Sequence, residues 1–341
     1  LYAALVLGGA WILYKWDTSA SVRGAVAVGL AALRLGRAAD QGGVLEGAGG
    51  GMFRRQWLGG VLCASPWLLG FLVFTGGPIL FSIIVSFADY DILRSATWAG
   101  VDNYARIFTG DDLFGVAVGN TLFMMLGIPL GMAVSLGIAL LLNVEVRGVA
   151  LWRTFFYLPS IVPAVASSIL WIWIFNPQAG LLNNFLGAFG IAGPNWLQDP
   201  GTSKPALILM GFWGAGGGMV VWIAGLKGIS ESYYEAARLD GASAWRQFRH
   251  ITLPMLSPYI FFNLIMGVIG TLQVFSQAFI MTQGGPVNST LFYAYHLFNH
   301  AFRYLNMGYA SAMAWVLVIV VFALTVVQMK LSKRWVHYEG E

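Results

Sequence analysis

From residue 58 onward the sequence carries six apolar stretches, each meeting the roughly 20 mostly apolar residues that a helix needs to cross a bilayer. Their expected limits are 58–87, 117–142, 150–175, 204–226, 257–281 and 308–331. Inside hydrocarbon every backbone N–H and C=O must find a partner within the protein, so such stretches fold as helices. The expected fold class is therefore all-α, a polytopic membrane protein with a six-helix core. Composition agrees, since 58% of the 341 residues are hydrophobic and 10% charged, whereas soluble domains are about 45–50% apolar. Pro66, Pro78, Pro129, Pro159 and Pro163 fall within these spans, which predicts kinks inside a helix bundle.

Before the core, residues 1–16 include a seventh apolar run, "LYAALVLGGAWILY", expected to be part of an extra N-terminal helix. Its positive charge follows the apolar residues, the reverse of a secretory signal. Residues 17–56 form a Gly/Ala-rich connector whose loosest part is "GGVLEGAGGGMFRRQ", and residues 57–335 hold the six spans. The single cysteine, Cys63, excludes a disulfide within the chain and a cysteine metal site. The net charge of +4 serves orientation in the bilayer rather than nucleic-acid binding, because cytoplasmic loops collect lysine and arginine. Lys15, Arg23, Arg34, Arg37, Arg54, Arg55, Arg147, Arg153, Lys227, Arg238, Arg246, Arg249, Lys330, Lys333 and Arg334 fall on one side; Arg94, Arg106, Lys204 and Arg303 fall on the other. That asymmetry places the 227–256 loop and the C-terminus in the cytoplasm.

This loop contains the most charged stretch, "YYEAARLDGASAWRQFRHITLPMLSP", residues 233–258. Ser232 and Glu235 have the spacing of a capping box, which predicts a helix starting there. It should close at Gly241, since glycine accepts left-handed backbone. Ser243 then caps a second short helix that stops before Pro254. Glu235-Ala236-Ala237, Gly241 and Ile251-Thr252-Leu253-Pro254 stand at a fixed spacing: EAA, three residues, glycine, nine residues, Ile-x-Leu-Pro. With this pattern the chain resembles the membrane-spanning permease subunits of binding-protein-dependent ABC importers.

The resemblance implies that the loop is a coupling element, in which Glu235, Ala236, Ala237, Gly241, Ile251, Leu253 and Pro254 form the docking foot for an ATP-hydrolysing subunit. It implies an inner-membrane assembly with a second homologous permease, an ABC ATPase dimer that binds ATP and Mg, and an extracytoplasmic solute-binding protein. No cofactor is expected on this chain. The runs at 101–108, 156–183, 270–286 and 301–317 are similar to the carbohydrate branch, the maltose and glycerol-phosphate type, which implies a sugar or sugar-like neutral solute.

Sugars call for amides, hydroxyls and aromatic rings rather than fixed charge. Asn263, Thr271, Gln273, Ser276 and Gln277 in the fifth span supply such groups, and Gln273 and Gln277, four apart, should share one helix face. Asn120 is a further candidate. Interhelical hydrogen bonds that only hold the bundle account for such residues as well. No span holds a buried acid or an ion pair of the kind ion-driven carriers use, and the sequence has no P-loop, so no catalytic residue is expected. The alternatives are a polyamine, phosphate-ester or peptide cargo, or a solitary secondary transporter. His296 and His300 have a zinc-helix spacing, but Leu297 stands where a metal hydrolase needs glutamate and no third ligand is evident, so no metal is expected.

Overall fold

The structure, a computed structural model, describes residues 49–144 and 147–337. The expected helix at 1–16 and most of the 17–56 connector lie outside the described residues. The chain divides at Gly77 into two units. The first contains α1 (Gly49–Phe71) and a π-helical turn at Leu72–Gly76. Here one expectation is corrected: residues 49–56, in the stretch expected to be loosest, are helical. Glycine costs a helix about 1 kcal/mol per residue, which sets a penalty but not a stop when a long apolar helix follows.

The second unit opens with α2 (Gly77–Ser86), then a ribbon of β1 (Ala88–Asp89) antiparallel to β2 (Thr97–Trp98), and α3 (Asp102–Thr109). The bundle continues as α4 (Asp112–Met124), α5 (Gly127–Leu142), α6 (Val149–Tyr157), α7 (Ala164–Ile174), α8 (Leu181–Ala188), α9 (Pro200–Trp213) and α10 (Gly216–Gly228). The short α11 (Glu231–Leu239) and α12 (Ala244–Gln247) follow, then α13 (Ser257–Leu272), α14 (Tyr293–Phe298) and α15 (Met307–Ser332).

Gly60–Ser86, Asp112–Leu142 and Met307–Ser332 are each long and apolar enough to cross a membrane. Three bent helix pairs bring the number to six among the described residues if each pair is one crossing: Val149–Ile161 with Ala164–Ile174, Pro200–Trp213 with Gly216–Gly228, and Ala244–Met255 with Ser257–Leu272. Their bends are 97°, 52° and 63°. The sharpest falls at Val162, whose extended backbone is what the proline after it demands. The second lies in Gly214-Ala215-Gly216-Gly217-Gly218. The expected 257–281 span is shorter than predicted, because its helix ends at Leu272.

α10 occupies the middle of the core. Its Met219, Trp222, Ile223 and Leu226 are buried with Ala139 and Leu142 of α5 and with Leu256. The Trp222 indole donates to Ser135 Oγ across 2.8 Å, which satisfies a polar group that is costly to bury alone. Gly225 is a close approach, since a Cβ there would lie 2.8 Å from carbons of Leu256 and Tyr259. At the far end of α5, Arg153 donates to the Leu142 carbonyl, placing a cation at a helix C-terminus where the dipole favours it.

The segment before α15 is bolted to the bundle by side chains. Asp111 caps α4 through its Oδ1, which accepts from the N–H groups of Leu113 and Phe114. Its Oδ2 accepts from the Tyr309 hydroxyl and pairs with His296 Nε2. Thr121 Oγ1 accepts from the Tyr293 N–H, and Ser203 and Ser289 share a hydrogen bond of 2.9 Å.

Candidate functional site

Between these helices lies a cavity of about 570 Å³. Two of the bends open onto it: Pro159, Ser160, Val162 and Ala164 line it from the first, and Trp213, Gly214 and Ala215 from the second. Non-helical backbone at membrane depth is tolerated where it lines a cavity or is buried in protein, so the breaks follow from the cavity. Its polar lining is Ser135, Ser160, Ser167, Asn263, Thr271 and Gln277, with no charged side chain among the lining residues. Gly218 faces Ser135, and Gly127, Gly131 and Gly267 keep the wall thin. The arrangement suits a hydroxyl-rich solute, which needs donors and acceptors without fixed charge. A second cavity of about 390 Å³ adds the amides of Asn176, Asn195 and Gln198 beside Thr282 and Gly285.

Of the residues singled out from sequence, Asn263, Thr271 and Gln277 meet at the main cavity. Asn263 Nδ2 donates to the Tyr259 carbonyl at 2.8 Å, which leaves Oδ1 as an acceptor. Gln273 is elsewhere. It is exposed, and with Leu297, Ala314, Leu317, Val318 and Phe322 it borders an apolar groove instead. The expectation that Gln273 and Gln277 share a helix face is overturned because the helix breaks between them, at Gln273–Phe275. Val274 and Phe275 pack against the cluster of Ala278, Leu291 and Tyr295, so tertiary packing makes the break without proline or glycine. Asn120 is buried, and its Nδ2 donates to the carbonyls of Asn288 and Leu291.

The second candidate site is the foot formed by α11 and α12. α11 starts at Glu231 with Ser230 at its cap position, two residues earlier than expected, so the capping box at Ser232 is not formed. Instead Ser232 shares a hydrogen bond with Ser230, and Glu231 pairs with Arg238 at 2.8 Å. The end of α11 is as expected. Gly241 has φ +72°, its N–H donates to the Arg238 carbonyl, and the Ala242 N–H donates to Ala237. These two bonds are the Schellman closure, which uses carbonyls that the helix end would otherwise leave free.

α12 begins after Ser243, although the Ser243 side chain makes no capping bond. The helical path then passes Pro254 rather than stopping before it. It widens into a π turn at Phe248–Thr252 and adds one turn at Leu253–Met255. The wide turn gives room to a proline ring that clashes with the carbonyl four residues back in a regular helix.

Glu235, Ala236, Gly241 and Leu253 are exposed, Ala237 and Pro254 are half-buried, and Ile251 packs into the core around Trp222. Ile251 therefore anchors the foot rather than facing outward. The sequence reading missed Leu239, 90% exposed, and Trp245, 67% exposed. Both were visible as large apolar residues in the most polar loop. It also missed Asp111, which stands beside His296 and His300 so that their ligand-type atoms lie within 4.8 Å of one another. Asp111 is 185 residues from His296 in sequence, so only the fold brings them together.

Residues 127–337 match the family model described as the binding-protein-dependent transport system inner membrane component. The chain belongs to that family. The permease is 42% identical over 293 residues to the probable ABC transporter permease protein YesP of Bacillus subtilis (strain 168), covering 84% of this chain and 94% of the relative. It is 35% identical to the lactose transport system permease protein LacF of Rhizobium radiobacter, covering 81% and 94%. A crystal structure of a bacterial ABC transporter involved in the import of the acidic polysaccharide alginate matches with a TM-score of 0.72 at 24% identity, over 82% of the permease and 96% of that chain. At that identity the likeness is one of fold. The permease is thus a multi-pass member of an inner-membrane transport family, and its helical path reproduces an ABC importer permease.

Proposed function

We propose that this permease conducts a sugar or sugar-like solute, delivered by an extracytoplasmic binding protein and driven by ATP hydrolysed, with Mg, on a partner ATPase pair. The observation that carries this is the cavity at the broken helices, whose polar lining is hydroxyl and amide without charge. The relatives named for lactose and for sn-glycerol-3-phosphate transport support the same solute class. A second homologous permease completes the path, with the foot and the C-terminus in the cytoplasm as the lysine and arginine distribution favours. The exposed Leu239 and Trp245 give the foot an apolar tip of the kind that fills a pocket at the centre of an interface. ATP binding closes the ATPase pair, the foot follows it, and the movement re-aims the cavity from one side of the membrane to the other. The chain takes no part in hydrolysis.

Co-purification of the tagged chain from its native membranes, with mass identification of what accompanies it, tests this. Recovery of an ATPase, a second permease and a solute-binding protein is the expected result. A chain that emerges alone or only with copies of itself contradicts it and favours a solitary carrier.

A further inference from the structure

An ammonium stands beyond the cavity lining, toward the N-terminus of α9. Lys204 lies in the second turn of α9, and its Nζ donates to Asn120 Oδ1 across 2.8 Å while standing 4.9 Å above the Phe123 ring. Asn120 is fixed by its own bonds to the carbonyls of Asn288 at 2.7 Å and Leu291 at 3.2 Å, so its amide oxygen is a stationary anchor. An ammonium has three N–H donors, and Asn120 takes one. None of the ion pairs among the described residues involves Lys204. The side chain is half-buried, and two of its three donors are free to meet a further acceptor.

Its position relates it to the solute path. Leu207, Ile208 and Gly211, at three, four and seven residues after Lys204, line the cavity, as does Met124, four residues after Asn120. Residues at that spacing lie on one helix face, and one turn rises about 5.4 Å. The ammonium is therefore about one turn beyond the lining, on the same faces of α4 and α9. The sequence places Lys204 at the first residue of the expected 204–226 span, and the candidate path residues Asn120, Asn263, Thr271, Gln273 and Gln277 carry no charge. The fold starts the helix earlier, at Pro200, so that Lys204 lies within it, held by an amide and an aromatic face that position a cation without neutralising it.

We infer that Lys204 is a specificity-determining residue that recognises an oxyanion, a carboxylate or a phosphate, carried by the transported saccharide. This rests on the saccharide reading of the cavity and deepens it. The hydroxyl and amide lining receives the neutral body of the solute, and Lys204 receives an oxyanion of the solute through charge-assisted hydrogen bonds, roughly twice as strong as neutral ones. Asn120 is the positioning residue that keeps the ammonium aimed.

The test uses the complete importer, with its binding protein, in proteoliposomes. Apparent KM for uptake is measured with a disaccharide of uronic acids, with the same disaccharide methyl-esterified at its carboxylates, and with a phosphorylated sugar. The wild type prefers acid over ester, and Lys204→Met lowers that preference at least tenfold while Lys204→Arg keeps it. The phosphate probe tells which oxyanion is favoured. If Lys204→Met does not assemble, Lys204→Gln retains a donor to Asn120 and gives the same ratio. An unchanged ratio overturns the inference, and so does an equal loss on both probes, which is what a mere clamp between α4 and α9 produces. A wild type that prefers the ester also overturns it while the saccharide reading stands. A complex that takes up no saccharide at all removes that reading itself.

Discussion

The Tyr309 hydroxyl donates to Asp111 Oδ2 across 2.6 Å, joining the first turn of α15 to the cap of α4, 198 residues away in sequence. A hydrogen bond to a charged group contributes about 1.5–3 kcal/mol, and Tyr309 is 2% exposed, so water does not replace it. Tyr309→Phe should lower the melting temperature of the purified permease by several degrees, and Asp111→Ala, which also removes the α4 cap, by more. An unshifted melt for Tyr309→Phe makes the pair incidental.

Acidity should weaken the same region in two steps. Burial, with repulsion from His296, lowers the His300 pKa from 6.5 to about 4 against the pull of Asp111. A histidine depressed on folding contributes stability above its unfolded value, and that contribution is lost as pH falls from about 6.5 through about 4. Burial pushes the Asp111 carboxyl up, but the bonds from Tyr309 and His296 outweigh it and hold it below its ordinary 3.8. Its contribution disappears only below that pH. Melting temperature should therefore decline between pH 6.5 and 4, and His300→Gln should flatten the decline. The same slope in both proteins refutes the assignment to His300.

Gly241 tests the foot. A Cβ added there meets nothing within 4 Å, so Gly241→Val acts through backbone alone, at roughly 1–2 kcal/mol for an L-residue held left-handed. The variant should reach the membrane and lose uptake at least tenfold, whereas Gly241→Asn, which tolerates that backbone, should retain more. Normal uptake by Gly241→Val counts against coupling through this bend.

The cavity residues divide. Asn263→Ala and Gln277→Ala should each raise the apparent KM of solute-stimulated ATPase activity in the assembled importer, by several-fold. Gln273→Ala should stay within twofold of wild type. A large effect at Gln273 with none at Gln277 reverses the assignment of the path.

What was legible in the sequence follows from how local its causes are. The spans are set by apolar length, so their limits at Gly60–Ser86 and Met307–Ser332 differ little from 58–87 and 308–331. Gly241 was legible because left-handed backbone is a property of one residue. The start of α11 lies two residues before the expected one, because Ser232 hydrogen-bonds to Ser230 instead of capping the helix. The break at Gln273 has no local signal, since Val274 and Phe275 are pulled toward Leu291 and Tyr295 by packing. Lys204 stands at the edge of an expected span, and its link to Asn120 has no local signal because the two are 84 residues apart.

Two short helices meeting at a bend would behave as a jackknife if the bend were their only link. The Tyr234 hydroxyl and Thr252 Oγ1 share a hydrogen bond of 2.9 Å that ties α11 to the turn beyond α12, with Gly241 as the opposite corner. A triangle cannot collapse under load as a two-bar linkage can. Any load placed on Leu239 or Trp245 would thus be passed to the buried Leu256 and the root of α13 as through a strut, and the give of the triangle would be set by one hydroxyl pair.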